Sequence, residues 1–450
     1  MVRHAAQILT WLREPPPELR RGPFRADAFP SAVRSVRLTS LLGVALGAAF
    51  AVCFLTGLLS HLIQHPPSWF WWPSRPAGLY RVTQGLHVAT GLASVPLLIA
   101  KLWSVYPRLF SWPPVPSAAG AIERLGLVAL VGGSLFQVVS GVLNIYRVYG
   151  PMPFFFTAAH WWVAWLTIGG LLAHIGVKLP LIRAALSRRA ATDPAVPDRR
   201  PTTDAPVAGR RAATDAPALR TQAATDTAVP DQRAATDTAV PDLGTGTDAP
   251  VPGRRALLAG VGAAAGLITL GTAGQTVAPL SPVSVLAPRH PHDGPQRVPV
   301  NRTAAAAGVR DAAMDPGYRL RLAGATTRML SVTDLAALPQ HTVVLPIACV
   351  EGWSSTGTWT GVRLRDLAEL AGIDPEHAEA RVESMQTGGR YRESTVAAPH
   401  LRDPDTLIAL RLNGAPLHPD HGYPARLIAP SRPGVLQTKW VGRITVRSLA

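Results

Sequence analysis

The sequence predicts a multidomain protein: an all-α transmembrane bundle of four helices plus a fifth anchor helix, followed by an α+β domain. Three observations carry that reading. Four long apolar segments crowd into residues 38–180. A proline-rich, low-complexity stretch separates them from a fifth apolar segment. The remainder, 296–450, alternates short strand-like runs with turn residues. At 450 residues the chain has room for two or three such parts.

Residues 1–37 are polar and rich in Arg and Pro, which suits a cytoplasmic basic tail and not a cleavable signal. The spans then fall at 38–63, 81–104, 121–146 and 154–179, each near the roughly 20 residues needed to cross hydrocarbon. A fifth, at 255–280, is richer in Gly and Ala. Basic residues set the orientation. They cluster before the first span (Arg3, Arg13, Arg20, Arg21, Arg25, Arg34, Arg37), between the second and third (Lys101, Arg108, Arg124) and after the fourth (Lys178, Arg183, Arg188, Arg189). The other connections hold only Arg75, Arg81 and Arg147. By the positive-inside rule the N-terminus is cytoplasmic. An odd number of crossings then places the C-terminal domain outside a cell membrane. The run Trp69–Phe70–Trp71–Trp72 suits an outer interfacial belt. The formal charge is +16, but much of the Lys and Arg sits in the tail, beside the apolar spans and in the linker, which argues against nucleic acid as a partner.

Histidines inside a bilayer are costly and need a reason. His61 ends the first span, His87 is early in the second, and His160 and His174 share the fourth. The last two are fourteen residues apart, so their rings face one side of a helix about 21 Å apart. His87 and His160 lie at the same outer depth and could clamp one b-type haem. His174 lies near the inner face, where no partner histidine is evident, so one haem is better supported than two. A structural role for each ring is the simpler alternative. TGLLSH, LYRVTQGLHVATGL and the His160/His174 pair resemble the di-haem cytochrome b subunits of respiratory enzymes, which implies exchange with a quinone/quinol pool.

Residues 190–253 repeat an 11-residue unit, AATDPAVPDRR being the first. Every unit contains Pro and lacks an apolar seam, so the segment reads as a disordered tether and not a coiled coil. Arg254–Arg255, before the weakly apolar fifth span, resembles a twin-arginine export signal; the plain alternative is an inner anchor.

In the C-terminal part, TVVLPIACV, TLIALRLN, ARLIAP and GRITVRS read as strands. SVTDLAAL and RLRDLAELAG read as short helices, the second closed by Gly372. The chain has two cysteines, and only Cys349 falls outside an apolar span. By itself a lone cysteine at a strand end is a small buried hydrophobe; a nucleophile would want a His–Asp partner that is not apparent. Its neighbourhood alters that reading. CVEGWSSTGTWTGVRLRDL resembles the metal-ligand segment of the sulfite oxidase family, and LNGAPLHPDHGYPARLIAPSRPGVLQTKWVGRITV resembles that family's pterin-binding stretch. The resemblance implies a molybdenum–molybdopterin cofactor with Cys349 as the protein ligand to the metal. It implies cofactor contacts from His421, Arg426, Gln437, Thr438 and Lys439, with Asn301 at the cofactor edge. Tyr391 lies where sulfite oxidases carry an active-site tyrosine. The haem domain and extra C-terminal domain of animal sulfite oxidases are lacking.

Together these readings suggest a molybdenum-dependent oxidoreductase that moves an oxygen atom on a small sulfur or nitrogen oxide and is coupled to quinone through membrane haem. The arrangement resembles the split methionine-sulfoxide reductase system. Two alternatives remain from sequence: a sulfite-oxidising dehydrogenase running in the opposite direction, and a non-catalytic membrane protein with a degenerate cofactor domain.

Overall fold

The computed structural model describes residues 29–31, 33–110, 118–187 and 253–449. Most of the basic tail and the repeat linker lie outside the described residues. Five helices are long and apolar enough to cross a membrane: α1 (Val36–Gln64), α2 (Leu79–Val105), α3 (Ala118–Ile145), α4 (Phe156–Ser187) and α5 (Arg254–Ala273). Ser35 starts α1 by accepting a hydrogen bond from the Leu38 amide. Two ends differ from the sequence expectation. Helix α4 runs on to Ser187, because LIRAALS beyond Pro180 is made of good helix formers. Helix α5 stops at Ala273 rather than near 280, because Gly274 and the prolines of Ala278–Val283 turn the chain into a tighter helical bend. Large apolar side chains such as Leu55, Trp162 and Leu267 face outward from the bundle, as lipid-facing positions do.

Ten strands follow: β1 (Leu320–Ala323), β2 (Thr327–Leu330), β3 (His341–Ala348), β4 (Ser354–Arg363), β5 (Ala378–Ser384), β6 (Glu393–Val396), β7 (Leu407–Leu412), β8 (Ala415–Pro416), β9 (Arg426–Ile428) and β10 (Val441–Ser448). They form two five-stranded sheets. One has the order β2-β1-β10-β5-β6; in the other, β3-β4-β7-β8 run in order and β9 pairs with β7. Helices α6 (Val332–Ala337) and α7 (Leu364–Leu370) match the two short helices expected, with Ser331 and Asp334 forming a capping box on α6. Alternating burial along β5 and β10 places Ala380, Val382, Ile444 and Val446 in one core. A second core, beneath the other sheet, gathers Leu345, Ile347, Trp353, Trp359 and Leu412 around Cys349.

The β3–β4 hairpin decides where the cysteine goes. Its register pairs Ala348 with Ser354, so Cys349–Trp353 is the turn. The Cys349 amide donates to the Trp353 carbonyl at 2.9 Å, and the Gly352 amide to the Cys349 carbonyl at 3.0 Å. Gly352 has φ +92, a left-handed conformation that glycine alone adopts freely. A methyl group there would also lie 3.0 Å from the Val88 side chain of α2.

This turn meets the bundle, with which the strand domain forms one compact unit. The C-terminal ends of α1, α3 and α5 and the N-terminal ends of α2 and α4 all lie at the end facing the strand domain. Ser354 donates its amide to the Gln275 carbonyl at 2.7 Å, and Thr276 Oγ1 donates to the Gly352 carbonyl at 2.7 Å. The α1–α2 connection docks beside them. Trp72 Nε1 donates to the Ser431 carbonyl at 2.8 Å, and Arg75 holds the buried Asp403 carboxylate at 3.0 Å. The aromatic run is therefore divided: Trp69 and Trp71 are exposed, while Phe70 and Trp72 pack near Tyr80, Ala348 and Leu436.

Gly352→Ala should cost about 1–3 kcal/mol through a strained φ and the clash with Val88. Gly388→Ala, at an open position with ordinary φ, is the control and should be close to neutral. Thermal unfolding of the detergent-solubilised chain reads the difference.

Candidate functional site

Cys349 sits in a small cavity shared with Asn301, Trp353, Arg426 and Lys439. Its thiol is buried. Burial pushes its pKa well up, and the nearby Glu351 carboxylate adds to that; a backbone hydrogen bond at Glu351, Arg289 and Lys439 oppose it. A free thiolate is therefore unfavourable here without a partner such as a metal. Among the described residues, no group of three or more His, Cys, Asp or Glu could hold a metal ion. A metal at Cys349 would thus take most of its ligands from a cofactor.

The cations beside Cys349 are also buried. Arg426 begins β9, donates to the His421 carbonyl at 3.1 Å and lies 5.3 Å from the Trp359 ring centroid. Lys439 precedes β10 and donates to the carbonyls of Arg302 at 2.9 Å and Asp420 at 2.8 Å. Gly422, with φ +109, lets the HGYP turn close on Lys439; a methyl group there would lie 3.1 Å from the Lys439 backbone. Burial, and then the charge of Arg426, holds the Lys439 ammonium well below the lysine range. Burial pulls Arg426 and Arg432 down to about 10, which still leaves both charged at neutral pH. Burial and Arg426 take His421 down to about 3, so its ring is neutral. Its Nε2 lies 2.7 Å from the Pro295 carbonyl, which fixes that nitrogen as the donor.

No described carboxylate forms an ion pair with Arg426, Arg432 or Lys439, although the charges of Asp420 and Glu351 act on Lys439 from farther off. Glu351 is bound elsewhere, by Arg289 at 3.2 Å, by Arg147 at 3.5 Å and by Trp353 Nε1 at 3.0 Å. Arg426 Nε, Arg432 Nε, Gln437 Oε1 and Ser354 Oγ are buried with no hydrogen-bond partner in the protein. Buried donors and charges left this way cost free energy unless a ligand satisfies them. The missing partner is anionic, rich in hydrogen-bonding atoms and adjacent to a soft thiol. A molybdenum–pterin cofactor with its phosphate has that chemistry, so the residues present fit it.

The structure places the other expected residues as follows. Asn301 shares the cavity and gives its carbonyl to Arg147 at 2.9 Å. Gln437 donates from Nε2 to the Arg432 carbonyl at 3.1 Å, and Thr438 Oγ1 pairs with Ser394 Oγ at 2.8 Å. Tyr391 stands apart from this cavity. Its hydroxyl donates to Gln64 Oε1 of α1 at 3.4 Å, at the mouth of the bundle. Sequence reading missed Glu351, Arg289 and Arg432. Nothing in the local pattern marks Arg289, whereas Arg432 stands within the stretch that carries Arg426 and Lys439.

Within the bundle, His87 and His160 face one another with ring centroids 6.3 Å apart. His87 Nδ1 lies 2.9 Å from the Cys53 carbonyl, and His160 Nδ1 lies 3.2 Å from Ser140 Oγ. Both rings line a cavity of about 480 Å³ that also includes His61, Gln64, His65 and Arg390 toward the strand domain. His61 stacks on Trp161 at 3.6 Å. His174 is half-buried one turn before Lys178, which pairs with Glu123 of α3 at 2.6 Å, away from the other histidines.

Comparison with known proteins agrees with the C-terminal geometry. Residues 307–449 match the family model for the oxidoreductase molybdopterin binding domain. The chain is 33% identical to the mitochondrial sulfite oxidase of Rattus norvegicus over 30% of this chain and 30% of that protein. It is 29% identical to the nitrate reductase [NADH] of Ulva prolifera over 29% of this chain and 18% of that protein. Among solved structures it is similar to the sulfane dehydrogenase SoxCD from Paracoccus pantotrophus, 25% identical over 30% of this chain and 40% of that chain, with a TM-score of 0.28. The chain thus spans less than a third of the length of these curated relatives. Residues 307–449 form a molybdopterin-binding domain of the sulfite oxidase family.

Lys439→Met should remove a buried charge that two backbone carbonyls hold and that has no carboxylate in ion-pair contact. The variant should lose bound molybdenum while its cofactor-free form unfolds at a higher temperature than the cofactor-free wild type. The folded-state pKa of Lys439 lies below the unfolded value of 10.5, so wild-type stability falls as pH drops through that range. The Tm gap between variant and wild type should therefore narrow as pH is raised from neutral toward 10.5.

Proposed function

We propose that the chain, with its molybdopterin-binding domain, is a membrane-anchored molybdenum-dependent oxidoreductase coupled to the quinone pool through one b-type haem. The observation that carries the molybdenum part is the buried Cys349 thiol beside cations that form no ion pair with a described carboxylate. Cys349 would be the protein ligand to the metal. Arg426 and Lys439 would meet the phosphate, with Asn301, His421, Gln437 and Thr438 along the polar edge. When bound, such a cofactor supplies oxygen-atom transfer. The chain holds the cofactor in place, and the bundle packed on the turn keeps bulk water from the thiol side.

The haem part rests on His87 and His160. They would be the two protein ligands to the haem iron, and their ring centroids lie 6.3 Å apart across the cavity. Each Nδ1 is already engaged, which leaves the Nε2 atoms for the metal, as second-partner hydrogen bonds do for ligating histidines. The polar end of the cavity toward the strand domain, with His65 and Arg390, suits carboxylate groups on the macrocycle. No second histidine accompanies His174 among the described residues, so the proposal is one haem.

The substrate is a small sulfur or nitrogen oxide, reduced with electrons from quinol. Tyr391, beside the mouth of the bundle, would provide a hydroxyl for the substrate oxygen. The opposite direction, oxidation of a sulfite-like donor, is favoured by the sulfite oxidases among the relatives. The basic ends of the helices lie opposite the strand domain, which supports a cytoplasmic N-terminus and an extracytoplasmic active domain.

A panel of sulfoxides, N-oxides and nitrate, with a quinol analogue as donor, tests the function. Turnover of one of these should vanish in Cys349→Ser, which should retain its b-type absorption band. Turnover only with sulfite and an electron acceptor would reverse the direction, and no molybdenum in protein from a cofactor-competent host would end the enzyme reading. His160→Ala should abolish the b-type band; an unchanged band in that variant would reject the histidine pairing.

A further inference from the structure

The carbonyl of Val350, next to Cys349, is held by two side chains of the bundle. Asn144 Nδ2 on α3 donates to it at 3.1 Å, and Gln84 Nε2 on α2 approaches it at 3.5 Å. Both carboxamides are buried in otherwise apolar spans. Their orientation is fixed by tyrosine hydroxyls that donate to the amide oxygens: Tyr80 to Gln84 Oε1 at 3.3 Å and Tyr149 to Asn144 Oδ1 at 3.2 Å. The NH₂ groups are thereby aimed at Val350. Buried polar groups in a membrane span need a reason, and helix packing alone would be served as well by apolar residues.

Gln84 is one helical turn from His87, and Asn144 is one turn from Ser140, the hydrogen-bond partner of His160. Gln84 precedes His87 by three residues on α2. Asn144 follows Ser140 by four on α3, and Ser140 Oγ is 3.2 Å from His160 Nδ1. Each histidine is therefore joined to the Cys349 turn by a short path of covalent and hydrogen bonds through one carboxamide. Electron tunnelling falls off steeply with distance and passes better through bonds than across gaps. A turn held in contact with both helices meets that requirement; one lifted off by a few ångströms does not.

We propose that Gln84 and Asn144 are the positioning residues of an electron bridge, holding the Cys349 turn in register over His87 and His160. This rests on the haem reading of that pair. Each passage would carry one electron and no atom. Two passages, supplied by the two electrons of one quinol and accompanied by its two protons, would balance removal of one oxygen atom from the substrate as water.

The test uses the full chain in detergent or nanodiscs, comparing wild type with Gln84→Met, Asn144→Leu and the double variant. The b-type spectrum and molybdenum content are measured first. Haem is then reduced rapidly, and growth of the paramagnetic molybdenum signal is followed by freeze-quench. The double variant should keep both cofactors and slow that signal on the order of tenfold, the scale of loss when outer partners of a metal site are removed. Amide hydrogen exchange at 349–354 should quicken in parallel. The single variants keep one carboxamide each and should be intermediate, which guards against a double variant that fails to fold. An unchanged rate in cofactor-replete variants overturns the bridge and leaves the haem reading standing. A wild type without a b-type band overturns both.

Discussion

The hairpin turn Cys349–Trp353 is the constraint on which the rest depends. It is closed internally by Gly352 in a left-handed conformation and by the Cys349–Trp353 backbone bond. The β3–β4 pair supports it from one side, and two membrane helices and the segment just after α5 touch it from the other. A turn this tightly specified offers one place for the cysteine side chain: inward, against Trp353 and toward Arg426 and Lys439. Placing the cysteine on a turn bracketed by strands also limits its motion, as a metal ligand requires. The bundle thus contributes to the geometry of the thiol as well as anchoring the domain.

Buried positive charge is the second organising feature. Arg426, Arg432 and Lys439 are almost fully buried, and their polar contacts within the protein are to carbonyls. Such a cluster disfavours the cofactor-free fold and favours the loaded one, so cofactor binding and stability are linked. The negative charge of Glu351 lies at the edge of this region, yet Arg147 and Arg289 hold it. That pairing limits how far its carboxylate raises the thiol pKa. It also ties the end of α3, through Arg147, to the turn.

Much of this was legible in the sequence. The five apolar segments became five helices, and the four strand-like runs became β3, β7, β9 and β10. Cys349, Arg426 and Lys439, distant in the chain, meet in one cavity. Their meeting was foreseen from the resemblance of two sequence stretches to a known family, because residue patterning alone says nothing about which loops converge. What escaped was the junction. Gln84 and Asn144 are polar residues within apolar spans, a sign that was present, but their shared acceptor is the backbone of a residue more than two hundred positions away. The docking of Trp72 and Arg75 was hidden for a different reason: an interfacial aromatic belt and a domain contact call for the same residue types. The early end of α5 follows from Gly274 and the prolines after it, which the apolar content of the segment obscured.

The most direct test of the account is the sulfur environment of molybdenum. X-ray absorption at the molybdenum edge, on wild type and on Cys349→Ser loaded with cofactor, counts the neighbouring sulfur atoms. The account predicts one sulfur neighbour fewer in the variant, with the remaining shell unchanged. The same sulfur count in both proteins would show that Cys349 does not bind the metal, and the role given to its turn would fail with it.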